Sequence, residues 1–188
     1  MKSIAVFCGS NPGKNPVYAE VTDAAGRLIA ARNLMLVYGG GHRGLMGVVA
    51  DAALAAGGQE HGVITESLKA REMMHTGIQV CEVVDTMAER KHRFAELADA
   101  FLVLPGGIGT LEEVFDMWSR AQLQGLNKPI GIVNTAGFYL PQIQMIDRMI
   151  DDGFLPEAQR KWVAVGEDVG ELLDWLGNFQ FSPVSKWL

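Results

Sequence analysis

The sequence has only two cysteines in 188 residues, Cys8 and Cys81. Both stand inside apolar, strand-like runs, which points to buried free thiols and excludes a disulfide-built scaffold. Basic residues are not in excess either: 16 lysines and arginines against 22 acids give a net charge of −6. General nucleic-acid binding needs a basic surface and is excluded on that ground, whereas a local basic pocket for a phosphate is not. No apolar run approaches the roughly 20 residues that a membrane-spanning helix requires. Met1-Lys2-Ser3 leads straight into a strand without a secretory leader pattern, so the expected location is cytoplasmic. His42, His61, His75 and His92 show no metal-ligand spacing, and neither a metal nor a cofactor is expected. There is no G-x-S-x-G segment and no cysteine–histidine pair at a recognisable spacing, so nothing points to a covalent nucleophile.

What is present is the composition of an ordinary globular protein: 48% hydrophobic residues, 20% charged residues and 22 glycines. The length suits one domain spanning residues 1–188. Apolar runs that read as strands, Ile4 to Cys8, Leu34 to Tyr38, His61 to Ile64, Gln79 to Val84, Ala100 to Leu104 and Pro129 to Val133, alternate with helical segments. Trp162 to Val165 adds a last short strand, and Gly137 to Asp152 and Asp168 to Leu176 the last helices. Strands apolar on both faces, separated by helices, predict an α/β fold: a Rossmann-like, doubly wound parallel sheet covered by helices on both sides. Ligands in such sheets bind at the carboxyl ends of the strands. Glycine-bearing loops follow strands 1, 2 and 5, so they can share one crevice.

The chain is organised around Leu102-Val-Leu-Pro-Gly-Gly-Ile-Gly-Thr-Leu-Glu-Glu113. Pro105 stops a strand, three glycines make a turn, and a helix follows with Leu111, Val114, Phe115, Trp118 and Gln122 at helical spacing. Free N–H groups and a positive dipole end then meet at one point, which suits phosphate. Thr110-Leu-Glu-Glu113 also fits a capping box, in which Thr110 and Glu113 satisfy each other's backbone donors. Both readings of Glu113 stay open here. Gly39-Gly-Gly-His-Arg-Gly44 fits G-x-G-x-x-G, with Glu66 about where a ribose-binding acid would fall, but it follows the second strand and not the first. On the helix from Thr86 to Ala98, Arg90 and Lys91 share the apolar face of Met87 and Phe94. Either both side chains snorkel to water, or the face meets the crevice and Arg90 pairs with an anion. Carboxylates, one placed arginine and a phosphate turn suit hydrolysis of a phosphorylated sugar derivative.

Pro105-Gly-Gly-Ile-Gly-Thr-Leu-Glu-Glu113 resembles the P-G-G-x-G-T-x-x-E motif of the LOG ("lonely guy") family of cytokinin riboside 5'-monophosphate phosphoribohydrolases, which are often labelled lysine decarboxylases. Val6-Phe-Cys-Gly-Ser10, Val37-Tyr-Gly-Gly-Gly41, Gly44-Leu-Met-Gly47 and Met87-Ala-Glu-Arg-Lys91 resemble further family segments in the family order. The resemblance implies a homodimer that cleaves the N-glycosidic bond of an adenosine 5'-monophosphate, N6-prenylated or plain, to free base and ribose 5-phosphate. It implies a catalytic pair, Arg90 and Glu113. It places Glu72, Lys91, Gly107, Ile108, Gly109, Thr110, Leu111, Glu112 and Ser119 among substrate-binding positions, with Gly9, Ser10, Gly40 and Gly41 in the neighbouring loops. Thr65 and Ala88 depart from the family pattern near the expected base pocket. Two other readings remain: a nucleotide-binding carrier or sensor without hydrolysis, and a decarboxylase, for which Lys91 and Lys128 are the candidate Schiff-base lysines.

Overall fold

The structure, a computed structural model, describes residues 1–69, 71 and 73–182. Glu72 and the end of the tail, 183–188, lie outside the described residues.

Seven strands form one sheet: β1 (Ser3–Phe7), β2 (Met35–Tyr38), β3 (Gln59–Thr65), β4 (Val80–Val84), β5 (Ala100–Val103), β6 (Ile130–Val133) and β7 (Val163–Gly166). Their order is β4-β3-β2-β1-β5-β6-β7, and every pairing is parallel. β1, β5 and β6 are buried along their whole length, which is why they read as unbroken apolar runs. Helices α1 (Val17–Ala31) and α2 (Gly44–Ala55) pack on one face, together with the last helix, Val169–Asn178. Helices α4 (Met87–Leu97), α5 (Ile108–Gln124) and α6 (Leu140–Asp151) pack on the other, around Phe7, Phe101 and Val103. A single turn of helix, α3 (Glu66–Lys69), follows β3, and another, α7 (Glu157–Arg160), precedes β7; the Val169–Asn178 helix is therefore α8. Among the described residues no helix is long and apolar enough to cross a membrane.

Several boundaries differ from the sequence reading for identifiable reasons. β3 extends two residues earlier, through Gln59 and Glu60, because it pairs with β2 from Met35 onward. The expected helix from Gly137 is split: Ala136 and Gly137 adopt positive φ, a 3₁₀ turn covers Thr135–Gly137, and α6 starts afresh at Leu140. The capping pattern T-x-x-E does form, but on α4, where Thr86 Oγ1 accepts from Glu89 N and the Glu89 carboxylate accepts from Thr86 N.

Glu60 is a conflict inside this core. It is 2% exposed, and neither carboxylate oxygen has a hydrogen-bond partner among the described residues. Burial, aided by the nearby Asp51 charge, pushes its pKa up to about 7 from 4.5. The folded state then holds a proton that the unfolded chain has released, so stability is full below pH 4.5 and falls as pH rises through 7. The loss amounts to about 3 kcal/mol at most. Glu60→Gln is expected to remove this slope: urea denaturation at pH 5 and pH 8 should show the parent weakening relative to the variant, and parallel profiles would refute it.

Candidate active site

β1 and β5 are neighbours, and the chain leaves them towards opposite ends of the sheet. Such a reversal opens a crevice at the strands' carboxyl ends, and a cavity of about 580 Å³ lies there. The loop after β1 is fastened to the loop after β5 by Gly9 N–H donating to Pro105 O at 3.0 Å, and to α2 by Leu45 N–H donating to Gly9 O at 2.9 Å. One wall is Tyr18 and Phe138, edge to face with centroids 5.5 Å apart. The opposite side is apolar, with Met46, Leu68 and Met87.

α5 enters this cavity by its N-terminus. Gly107 is the N-cap in an extended conformation and makes no side-chain cap. The first-turn N–H groups of Ile108, Gly109 and Thr110 therefore have no helical acceptor, and the dipole adds positive potential. The three glycines of the turn differ in role. A Cβ on Gly106 would overlap Thr110 Oγ1 and sit 2.9 Å from Gly9 N, whereas one on Gly107 or Gly109 would meet nothing within 4 Å. Gly106 thus lets two loops pack, and Gly107 and Gly109 keep the space before the helix open. The capping box considered for Thr110 and Glu113 is not formed, because the helix begins two residues earlier and Glu113 lies inside it. Thr110 is buried against Gly106, and Glu113 lines the cavity.

Arg90 comes from α4 and is buried with a side-chain exposure of 5%. Nε donates to Val63 O, inside β3, at 2.8 Å and Nη2 to Gly39 O, just past the end of β2, at 2.9 Å. Nη1 faces Glu113 Oε1 at 3.5 Å, and the guanidinium lies 5.3 Å from the Phe94 ring centroid. A buried cation is costly unless paired, and here the Val63 and Gly39 carbonyls, Glu113 and the Phe94 ring are among the groups that share it. The snorkelling alternative therefore fails for Arg90. Gly39 is required by this seat, since any Cβ there would overlap Arg90 Nη2 and lie 2.8 Å from Met46 Sδ.

The remaining expected residues divide. Gly9, Ser10, Gly107, Ile108, Gly109, Thr110 and Glu112 line the cavity with Arg90 and Glu113. Lys91 does not; it is paired to Glu112 and, at 3.4 Å, to Asp116, and the Glu112 carboxylate raises its pKa. Leu111 packs into the core and Ser119 is exposed on the outer face of α5. Gly40 and Gly41 are buried behind the site: Gly40 O accepts from His75 N at 2.8 Å, and Gly41 pairs with Met74. The G-x-G-x-x-G reading falls with them, and Glu66 is exposed beside Lys69 at 3.2 Å. Thr65 is bonded to Ser67 and Ala88 is exposed, so neither lines the cavity. Glu72 lies outside the described residues.

Among the described residues no lysine lines the cavity. Lys128 donates to Ala95 O, and burial lowers its pKa. The decarboxylase reading therefore lacks a Schiff-base lysine at this site. Sequence inspection missed the Val63 and Gly39 carbonyls, because any residue carries a carbonyl and only the fold aims it. It also missed the meeting of His42, Asp51 and His75, which are far apart in the chain.

A family profile described as "Possible lysine decarboxylase" matches residues 46–176. The chain is 43% identical over 169 residues to the cytokinin riboside 5'-monophosphate phosphoribohydrolase of Rhodococcoides fascians, covering 89% of this chain and 85% of that protein. It is 39% identical over 179 residues to a protein of the same name from Arabidopsis thaliana, covering 95% and 82% respectively. Among solved structures, the molybdenum cofactor binding protein of Rippkaea orientalis aligns with a TM-score of 0.71 at 18% identity, over 94% of this chain and 96% of that one. At that identity the likeness is one of fold.

The division among the glycines is testable by stability. Gly106→Ala should cost about 1–3 kcal/mol through overpacking. Gly109→Ala, at an open helical position, should cost nothing or stabilise slightly. Urea denaturation of both variants reads the difference, and equal costs would remove the distinction.

Proposed function

This chain belongs to the family of the cytokinin riboside 5'-monophosphate phosphoribohydrolases, and on that premise we propose that it hydrolyses the N-glycosidic bond of adenosine 5'-monophosphates. The substrates are N6-prenylated AMP, AMP or both, and the products are the free base and ribose 5-phosphate. The observation that carries this reading is the placing of Glu113 and the open first turn of α5 in one cavity.

In this mechanism the 5'-phosphate rests on the N–H groups of Ile108, Gly109 and Thr110. The helix rise of about 1.5 Å per residue carries Glu113 roughly 8 Å beyond Ile108, within reach of the sugar of the same nucleotide. Binding energy at the phosphate, remote from the bond broken, holds the ribose in reactive geometry. As the bond between the base and the anomeric carbon breaks, positive charge builds on the ribose. The Glu113 carboxylate stabilises that charge and orients the water whose oxygen takes the base's place, while the bonding pair leaves with the base and one water proton ends on it, so that the free base is released neutral. Arg90, fixed by the Val63 and Gly39 carbonyls, holds Glu113 in position. Met46, Leu68 and Met87 offer the base and its substituent an apolar wall.

A homodimer is part of the proposal. Ile108, Phe115 and Leu123 form an exposed apolar line on the outer face of α5, and Ile108 is 83% exposed at the cavity mouth. A single domain working in the cytoplasm completes the reading.

Glu113→Gln keeps the shape of the side chain and removes its charge. It should fold as the parent and lose at least about 100-fold in turnover, by analogy with the loss of one electrostatic stabiliser. Chromatography of the products from AMP and isopentenyl-AMP measures this. Near-normal release of base would overturn the catalytic role, and binding without any release by the parent would favour the carrier. Arg90→Lys should fail as well, since an ammonium cannot reach both carbonyls and Glu113 in one plane. Placing glutamate at both Phe115 and Leu123 should yield a monomer by light scattering; a dimer that persists would move the interface elsewhere.

A further inference from the structure

We propose that His42, Asp51 and His75 form a binding site for one divalent transition-metal ion of the imidazole-favouring class, such as Zn²⁺ or Co²⁺. The site is separate from the cavity, which none of the three residues lines. His42 stands in the turn after β2, Asp51 on the third turn of α2, and His75 in the segment after α3. Their ligand atoms all lie within 4.8 Å of one another. His42 Nε2 is 3.1 Å from Asp51 Oδ2, and His75 Nε2 is 3.1 Å from Asp51 Oδ1. Metal bonds of about 2.0–2.1 Å put neighbouring ligand atoms roughly 3.0–3.5 Å apart; each histidine–carboxylate edge taken singly is in that range, and since the two edges use different oxygens of Asp51, an ion would draw the rings together from within 4.8 Å. Two imidazoles and one carboxylate suit zinc, cobalt, nickel and copper and disfavour calcium and magnesium.

The ring environments set the strength of the site. His75 is buried, while His42 and Asp51 are exposed, so the remaining coordination positions open to water. His75 Nδ1 accepts a hydrogen bond from Gly77 N at 3.0 Å, which places its ring proton on Nε2. Metal at Nε2 requires that proton to move to Nδ1, and the Gly77 N–H must then turn away. Losing about one hydrogen bond weakens binding roughly tenfold relative to a site whose imidazole already carries its proton on Nδ1. An ion there would staple the 73–77 segment to the turn after β2. That turn is already fastened by His42 N donating to Met73 O at 2.9 Å and His75 N donating to Gly40 O at 2.8 Å. Through Gly39, the same turn seats Arg90.

The test uses the full chain, freed of metal by chelation, titrated with Co²⁺ and read by its visible absorption. A saturable band at one Co²⁺ per chain is expected below millimolar metal, displaced by Zn²⁺. Because His75 is buried, the variants are His42→Ala and Asp51→Asn, whose exposed positions preserve folding. Each should lower Co²⁺ affinity at least tenfold while leaving hydrolysis in metal-free buffer unchanged. Absence of a one-to-one band below millimolar Co²⁺, or a band of equal strength in both variants, overturns the proposal.

Discussion

The buried guanidinium of Arg90 is the constraint on which the site depends. It needs the carbonyl of Gly39 after β2 and that of Val63 within β3, a glycine at position 39 to admit it, and Glu113 across the cavity. Each requirement fixes a different element. α4 must lie across β2 and β3, β2 must stop at Tyr38 opposite Gly62 while β3 runs on to Thr65, and α5 must begin where its sixth residue faces the guanidinium. Arg90 and Glu113 sit where a charge would otherwise be costly, and each removes much of the other's burial penalty.

The second constraint is the junction of the loops after β1 and β5. A Cβ on Gly9 would meet Asn11 O at 2.8 Å and one on Gly106 would overlap Thr110 Oγ1 and meet Gly9 N at 2.9 Å, and the backbone bonds from Gly9 N and to Gly9 O bind three segments at the switch point. Close packing of glycine backbones at one end of α5, with open space at Gly107 and Gly109, leaves the helix N-terminus rigid and accessible together. A rigid, accessible helix end is what an anion site requires.

Much of this was legible in the sequence. The unbroken apolar strands, their alternation with helices and the glycine turn after Leu104 gave the fold class and the end of the sheet that carries the site. Arg90 announced itself as a cation on an apolar helix face. What stayed hidden was of two kinds. Some features are backbone groups, such as the carbonyls of Gly39 and Val63, which no side-chain pattern reports. Others depend on where a helix starts: Thr110-x-x-Glu113 is written like a capping box, yet the glycine N-cap three residues earlier, Gly107, turns Thr110 inward and Glu113 toward the cavity. Gly40 and Gly41 erred in the opposite sense, since glycines in a loop after a strand can serve close backbone packing as well as a ligand. Lys91 shares the apolar face with Arg90 but is taken up by Glu112 and Asp116 of α5.

The account turns on a phosphate gripped by the first turn of α5 with Glu113 against the sugar. A crystal structure of the protein with ribose 5-phosphate bound measures both at once. The phosphate oxygens should lie within hydrogen-bond distance of the Ile108, Gly109 and Thr110 N–H groups, with the Glu113 carboxylate beside the anomeric carbon and Arg90 still on the Gly39 carbonyl. A phosphate bound elsewhere, or Glu113 turned from the sugar, would contradict it.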